Sequence, residues 1–457
     1  MKTKYFSVIA VLAAANFLGV TFLAGQGTIT GVIRAGDKAR IAVPDFRGKG
    51  AAQPLMNVVN ETLWNDLEDA GALTLVTKSN YPLEVPQSAA DLKPPSAAGA
   101  RMGPWLTDWS QPPVSTEYLA IGNADVNASG LLLQGWLMDA GKADVRTAQL
   151  FNLPYFGTPN EEGARSVAHQ FAADILKNLG IPTMAGSKIY FVSDRTGSTE
   201  IWSMDHDGGN QARMTKENAI TKMGAVSADG KLVAYVTMVK NTGWQIRVIA
   251  TATGRQQTFV NPVTSTITAP DFSPDGKQLW FSMTLSDYAQ IVVANVNGGQ
   301  LKRVSSVRTI ETSPRVNPKT GGEILFISGR TGHPQLYKMK ADGTGAESIT
   351  NGEGEVANPA WSPDGRFVAF AWNRGFDPGN FNIFVMDVAT KNMIQLTHGN
   401  GTNESPTWAP DGLHIVFSNQ KGRSTQIYTM LANGTRVKQI TSAGNNLQPV
   451  WTVGMTN

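Results

Sequence analysis

Four aspartates sit in almost the same tetrapeptide: Ser227-Ala-Asp-Gly230, Ser273-Pro-Asp-Gly276, Ser362-Pro-Asp-Gly365 and Ala409-Pro-Asp-Gly412. Carboxylates repeated at even spacing are hard oxygen ligands, and a ring of them is one way to hold cations. Their neighbours point to another role. Pro presets φ, Asp bonds its own backbone and Gly takes a positive φ, so each tetrapeptide reads as a tight turn. The five histidines (169, 206, 333, 398, 414) show no H-E-x-x-H spacing and no cluster with acidic residues, so they read as surface or turn residues, His169 on a helix. A serine hydrolase of the α/β kind needs a G-x-S-x-G elbow, and none is present. The glycines of 322–332 lack the Lys-Ser/Thr of a phosphate loop. With no Cys, thiol nucleophiles, thiolate metal sites and disulfides are excluded. No cofactor or metal is expected. Inward-facing carboxylates in a central channel would be the remaining route to catalysis, so a glycosidase- or peptidase-like propeller hydrolase is the alternative to a binding protein.

The elements that must position these turns repeat. With Lys319 in the degraded copy Asn317-Pro-Lys-Thr-Gly321, the turn position falls at 229, 275, 319, 364 and 411, separations of 46, 44, 45 and 47 residues. A short strand precedes each turn, often as x-Pro then an aromatic (Phe272, Trp361, Trp408, Trp451), and another follows it. A third strand and a short fourth, ending in pairs such as Ile349-Thr350 and Ile440-Thr441, complete the unit. Four strands with a period near 45 predict propeller blades. The aromatics read as packing between blades. The repeat opens on a second strand at 188–193 and ends on an orphan first strand at 448–453, so the C-terminus is expected to close the ring.

Before the repeat lies a different pattern. Strands are predicted at 40–46, 73–76, 117–122, 131–139 and 146–153, the last two as a hairpin around Gly141. Helices are predicted at 56–70, with Val59, Leu63 and Leu67 on one stripe, and at 160–179, with Thr158 as N-cap and Pro159 at N1. Residues 81–113 read as a long loop anchored by Trp105 and Trp109. The fold class is therefore multidomain: a small N-terminal α/β domain followed by a six-bladed β-propeller closed by the C-terminal strand.

The first residues speak for export. Lys2 and Lys4 precede an uncharged apolar run over 5–23, which reads as a signal peptide, with Ala13 and Ala15 or the stretch 24–27 as cleavage sites. The alternative is an uncleaved anchor. Removal of the leader leaves 37 basic against 36 acidic residues, a balance that disfavours nucleic acid as the main partner. The expected division is 1–25 signal, 26–180 N-terminal domain, 181–187 linker and 188–457 propeller.

The pairing of an exported α/β domain carrying Ile41-Ala-Val-Pro-Asp-Phe46 with Gly180-Ile-Pro leading into Ser-Pro-Asp-Gly blades resembles the TolB family, the periplasmic propellers of Tol–Pal systems. The resemblance implies no catalysis, a monomer, and two partners. A Pal-like lipoprotein would bind at one mouth of the propeller. A TolA-like inner-membrane protein would contact residues 26–34, with Thr28, Ile29, Thr30, Val32 and Ile33 as contacts. Carried over by position, the mouth comprises the loops joining the last strand of one blade to the first of the next: Thr221 and Lys222; Thr266, Thr268 and Ala269; Glu311, Thr312 and Ser313; Ala357 and Asn358; Glu404 and Ser405; Leu447 and Gln448. Thr266, Ala269 and Thr312 are the foremost positions.

Overall fold

The computed structural model describes residues 38–93, 103–263, 266–374 and 379–452. Its N-terminal part is a six-stranded sheet, in spatial order Leu73–Leu75, Ala39–Ala42, Tyr118–Asn127, Gly130–Asp139 and Gln149–Gly157, with Arg47–Gly48 paired to Tyr118–Asn127. Helices α1 (Met56–Asp69) and α2 (Glu161–Asn178) cover one face, burying Val59, Leu63, Val167, Phe171 and Ile175. Gly135 permits this contact, since a Cβ there would fall 2.8 Å from the Phe171 ring. The other face is covered by Val76, Leu92, Leu106, Trp109 and Val114.

Six four-stranded antiparallel sheets follow, each one blade. The first strands of blades 1 to 5 are Thr221–Val226, Ile267–Phe272, Glu311–Val316, Val356–Trp361 and Thr402–Trp408. Blade 6 is assembled from both ends of the repeat. Asn446–Thr452 pairs with Lys188–Ser193, which continues through Glu200–Asp205 to Ala212–Arg213. The ring closes as the phase of the repeat predicts, and each first strand touches those of both neighbours. Blade contacts are polar as well as apolar. The indole N–H of Trp361 donates to the Arg315 carbonyl (3.0 Å) and that of Trp408 to the Ala360 carbonyl (3.2 Å), each in the preceding blade.

The repeated aspartates are engaged in their turns. Asp229 accepts from Ser227 Oγ (2.7 Å) and the Lys231 N–H (3.1 Å), and Asp275 from Ser273 Oγ (2.6 Å) and the Lys277 N–H (3.1 Å). Gly230, Gly276, Gly365 and Gly412 take φ of 68–72°. A second device recurs inside the blades. Thr350 Oγ1 accepts from the Leu336 N–H (2.9 Å) and donates to Gln335 Oε1 (3.0 Å); Thr441 does the same with Ile427 (2.8 Å) and Gln426 (2.8 Å). This recurring Thr, just past the outermost strand, therefore ties that segment to the third strand.

Several local expectations need correction. The cap of α2 is Asn160, whose side chain accepts from the Gly163 N–H at 2.9 Å, so Thr158 and Pro159 lie before the helix. The loop expected over 81–113 contains a helical turn, Thr107–Ser110, seated by the fully buried Trp109. The strand expected at 40–46 ends at Ala42 because Pro44 cannot donate to the ladder. The strand expected at 146–153 begins only at Gln149 and runs to Gly157, since Val145–Ala148 form a helical turn, and residues 128–129 form a second hairpin turn between Tyr118–Asn127 and Gly130–Asp139. His169, His206 and His414 are buried, and the surface reading holds only for His333 and His398. The expected signal peptide and the segment 26–34 lie outside the described residues.

Candidate functional site

All the residues expected as mouth loops except Thr266 are strand residues. They open the innermost strand of each blade, and that strand carries a register shift before its second half in every blade. At the shift, Ala269, Ser313, Asn358, Ser405 and Gln448 take φ of 50–54°. Each precedes a proline, buried in all five blades (270, 314, 359, 406, 449). The left-handed region is strained for Ala, Ser and Gln and easier for Asn, and the bulge re-aims the strand. Blade 1 has Gly224 instead of proline, and a Cβ there would come within 2.4 Å of the Pro270 ring, so the neighbouring blade excludes a side chain.

Lys222 is exposed; Thr266, Thr268, Ala269, Thr312, Ser313, Ala357, Asn358, Glu404, Ser405, Leu447 and Gln448 are half-buried at the inner wall. Two expected contacts are not on the surface. Thr221 is buried against Thr237 Oγ1 (3.2 Å), and Glu311 is buried in an ion pair with Arg330 (2.8 Å), also accepting from Ser328 Oγ (3.0 Å). Both side chains alternate inward to the blade core. Interblade bonds tie the ring: Gln448 Oε1 accepts from the Met223 N–H (3.0 Å), and Thr268 and Thr312 hydroxyls meet at 3.4 Å.

Charge at the inner strands is sparse. Burial pushes the Asp271 carboxyl up, against the opposing pull of Arg315 at 3.6 Å and the Val316 N–H at 2.8 Å. Burial alone pushes Glu404 up. These two carboxyls belong to blades 2 and 5, which face each other across a six-membered ring.

At the opposite end of the ring lies a cluster that sequence reading missed. Asn446 pairs with Ser193, whereas Thr452 pairs with Lys188 and Lys188 with Asp205; the turn after Asp205 therefore faces away from the mouth. That turn meets α1 and α2. His169 Nδ1 lies 2.6 Å from Asp66 Oδ2, and His206 Nε2 lies 3.1 Å from Asp66 Oδ1. All three are buried. Burial works to raise the Asp66 carboxyl, yet the two imidazoles hold it at about 2. Burial works to lower His206, and the carboxylates of Asp66, Asp207 and Asp205 raise it. Arg165 NH1 pairs with Asp207 Oδ2 at 2.7 Å, and Lys188 Nζ pairs with Asp205 Oδ1. No local motif announces this group, because its members come from two helices and a distant turn. The one signal is a His–Asp dipeptide (206–207) in a turn whose counterparts lack histidine.

These features define a class: a closed six-bladed propeller with a strained, weakly charged mouth, joined at its other face to an α/β domain by a buried His–Asp cluster. The chain belongs to the TolB family, since the TolB beta propeller domain model matches residues 224–371 and 344–455. It is 31% identical over 237 residues to the TolB homolog of Chlorobium luteolum, a stretch covering 52% of this chain and 42% of that protein. With the TolB homolog of Chlorobium chlorochromatii it shares 30% over 224 residues, 47% and 46% of the two chains. The matched stretch thus spans less than half the length of these curated relatives. The crystal structure of TolB from Acinetobacter baumannii superposes with a TM-score of 0.68 at 22% identity, over 91% of this chain and 97% of that one, which establishes the shared fold. Among the described residues no helix is long and apolar enough to cross a membrane.

Proposed function

We propose that this chain is the protein-binding propeller of a Tol–Pal cell-envelope system, working in the periplasm as a monomer without catalysis and supporting outer-membrane integrity and cell division. A Pal-like lipoprotein docks at the mouth, and residues 26–34 engage a TolA-like inner-membrane protein. In the same reading 1–25 is the export signal, 26–180 the N-terminal domain, 181–187 the linker and 188–457 the propeller. The observation that carries the proposal is the ring of five left-handed, non-glycine residues converging from five consecutive blades. Such strain costs about 1–3 kcal/mol per residue and persists where the surroundings over-determine a surface. A preformed surface lowers the ordering cost of docking a folded partner. Family membership supports the choice of partner.

The combined substitution Ala269→Arg and Thr312→Arg is expected to weaken binding of a soluble Pal-like domain by about 30-fold or more, the scale of a hot-spot loss. Titration calorimetry checks this, with the melting temperature unchanged as the control. Unaltered affinity in a folded variant would refute the mouth. A pull-down from the native envelope is expected to recover a Pal-like lipoprotein; turnover of sugar or peptide substrates would favour the hydrolase instead. Deleting residues 26–34 is expected to abolish TolA binding while leaving Pal binding intact, measured by surface plasmon resonance. Retained TolA affinity would remove that segment from the reading.

A further inference from the structure

We propose that the junction between the N-terminal domain and the propeller holds a divalent transition-metal ion, zinc by ligand type, between His169 Nε2, Asp205 Oδ2 and Asp207 Oδ2. His169 comes from α2 and the carboxylates from the Asp205–Asn210 turn of blade 6, so the ion would bridge the two parts of the protein.

The geometry argues for it in three ways. First, His169 is 2% exposed, its Nδ1 faces Asp66, and its Nε2 has no hydrogen-bond partner. That nitrogen is aimed at Asp205 Oδ2 (3.6 Å) and Asp207 Oδ2 (3.9 Å). These separations are too long for a hydrogen bond. They are close to what a metal requires: ligands about 2.0–2.2 Å from a tetrahedral ion stand roughly 3.3–3.6 Å apart. The three ligand atoms all lie within 4.8 Å of one another. Second, each ligand is already held from behind, as the outer shell of a metal site is. Asp66 accepts from His169 Nδ1, Lys188 pairs with Asp205 Oδ1 and the Gly209 N–H donates to Asp207 Oδ1 (2.8 Å), while Asn210 Nδ2 (2.7 Å) and Arg165 (2.7 Å) donate to the ligand oxygens Asp205 Oδ2 and Asp207 Oδ2 themselves. Third, three carboxylates (66, 205, 207) converge on the two imidazoles of this junction, an oxygen-rich setting of the kind that takes a cation. One imidazole with two carboxylates suits zinc over the all-oxygen sites of magnesium or calcium.

The test uses the full chain after treatment with a chelator. Titration with Zn²⁺ is expected to show one ion per chain and to raise the melting temperature. Co²⁺ is expected to give the intense visible bands of a four-coordinate site. His169→Gln and Asp207→Asn should each weaken Zn²⁺ binding by about 100-fold or more and remove the cobalt spectrum. Asp207 is the more exposed ligand, at 22%, and its variant serves if His169→Gln does not fold. The mouth variant Ala269→Arg should bind the ion like the parent, which separates this site from the proposed function. Absence of stoichiometric binding overturns the site. So does parental affinity in both ligand variants.

Discussion

A chain ending at Asn445 is expected to lose cooperative unfolding of its propeller altogether. The missing strand pairs Leu447 with Val192, Val450 with Tyr190 and Trp451 with Ile189. It also places Trp451 in the core between blades 5 and 6, where its indole donates to Ser187 Oγ at 2.8 Å and its backbone N–H to Thr407 Oγ1 at 3.1 Å. Removal exposes the edge of Lys188–Ser193 and breaks the cycle of inner strands. Deleting one buried tryptophan side chain costs about 3–5 kcal/mol, against a typical total of about 5–15 kcal/mol. Loss of the whole strand should therefore leave no stable ring. Thermal unfolding by circular dichroism decides it, with Trp451→Ala as the graded comparison. A truncated chain that melts like the parent would show that blade 6 does not hold the ring.

Glu200→Ala is expected to be among the most damaging single changes, destabilising by about 3–5 kcal/mol. The carboxylate is fully buried at the start of the third strand of blade 6. It accepts from Arg213 (2.8 Å), Thr215 Oγ1 (2.5 Å) and the N–H groups of Glu217 (3.0 Å) and Asn218 (2.9 Å). Alanine removes the acceptor of the Arg213 NH2 group and of two amides. Blades 2, 3 and 5 carry Gln290, Gln335 and Gln426 at the equivalent place. Glu200→Gln should accordingly cost only about 1–2 kcal/mol. Acid distinguishes the two proteins. Burial works to raise Glu200, but the Thr215 hydroxyl, the two amides and Arg213 outweigh it and hold the carboxyl below its ordinary value. A lowered folded pKa gives stability that is complete above the unfolded value, near 4.3, and fades as pH falls from there toward the folded value. The gap between the parent and Glu200→Gln should therefore shrink below about pH 4. Urea midpoints at pH 7 and pH 3.5 measure it; a gap that stays constant would mean the charge contributes nothing.

Local chemistry made the ring legible. Pro, Asp and Gly dictate the same turn wherever they recur, and a period near 45 admits little besides four short strands. The end of the ring at which the inner strands begin was legible too, while the form of those strands there was not. A bulge lies between register positions, and the x-Pro dipeptide that marks it also suits a loop, so the inner strands were read as starting too late. Glu311 and Thr221 were misplaced for the same reason, since a strand buries alternate residues where a loop would expose them. The domain junction was illegible in a deeper way. Asp66 and His169 are 103 residues apart and His206 is 140 from Asp66. Only the packing of α1 against α2 and the closure of blade 6 bring them together. On its helix, Asp66 reads as one more polar residue beside the apolar stripe.

Closure by the last strand also sets a clock. Asn446 and Ser193, which face each other in blade 6, are separated by 253 residues of chain, which at about 5–20 residues per second takes roughly 13–50 s to synthesise. Throughout that interval the nascent propeller has two open edges, and no order of blade formation can seal it early. The ring must therefore stay unsealed until the strand carrying Trp451 has been made. Any factor that shields the edge of Lys188–Ser193 would act during that window and lose that edge once Trp451 is seated.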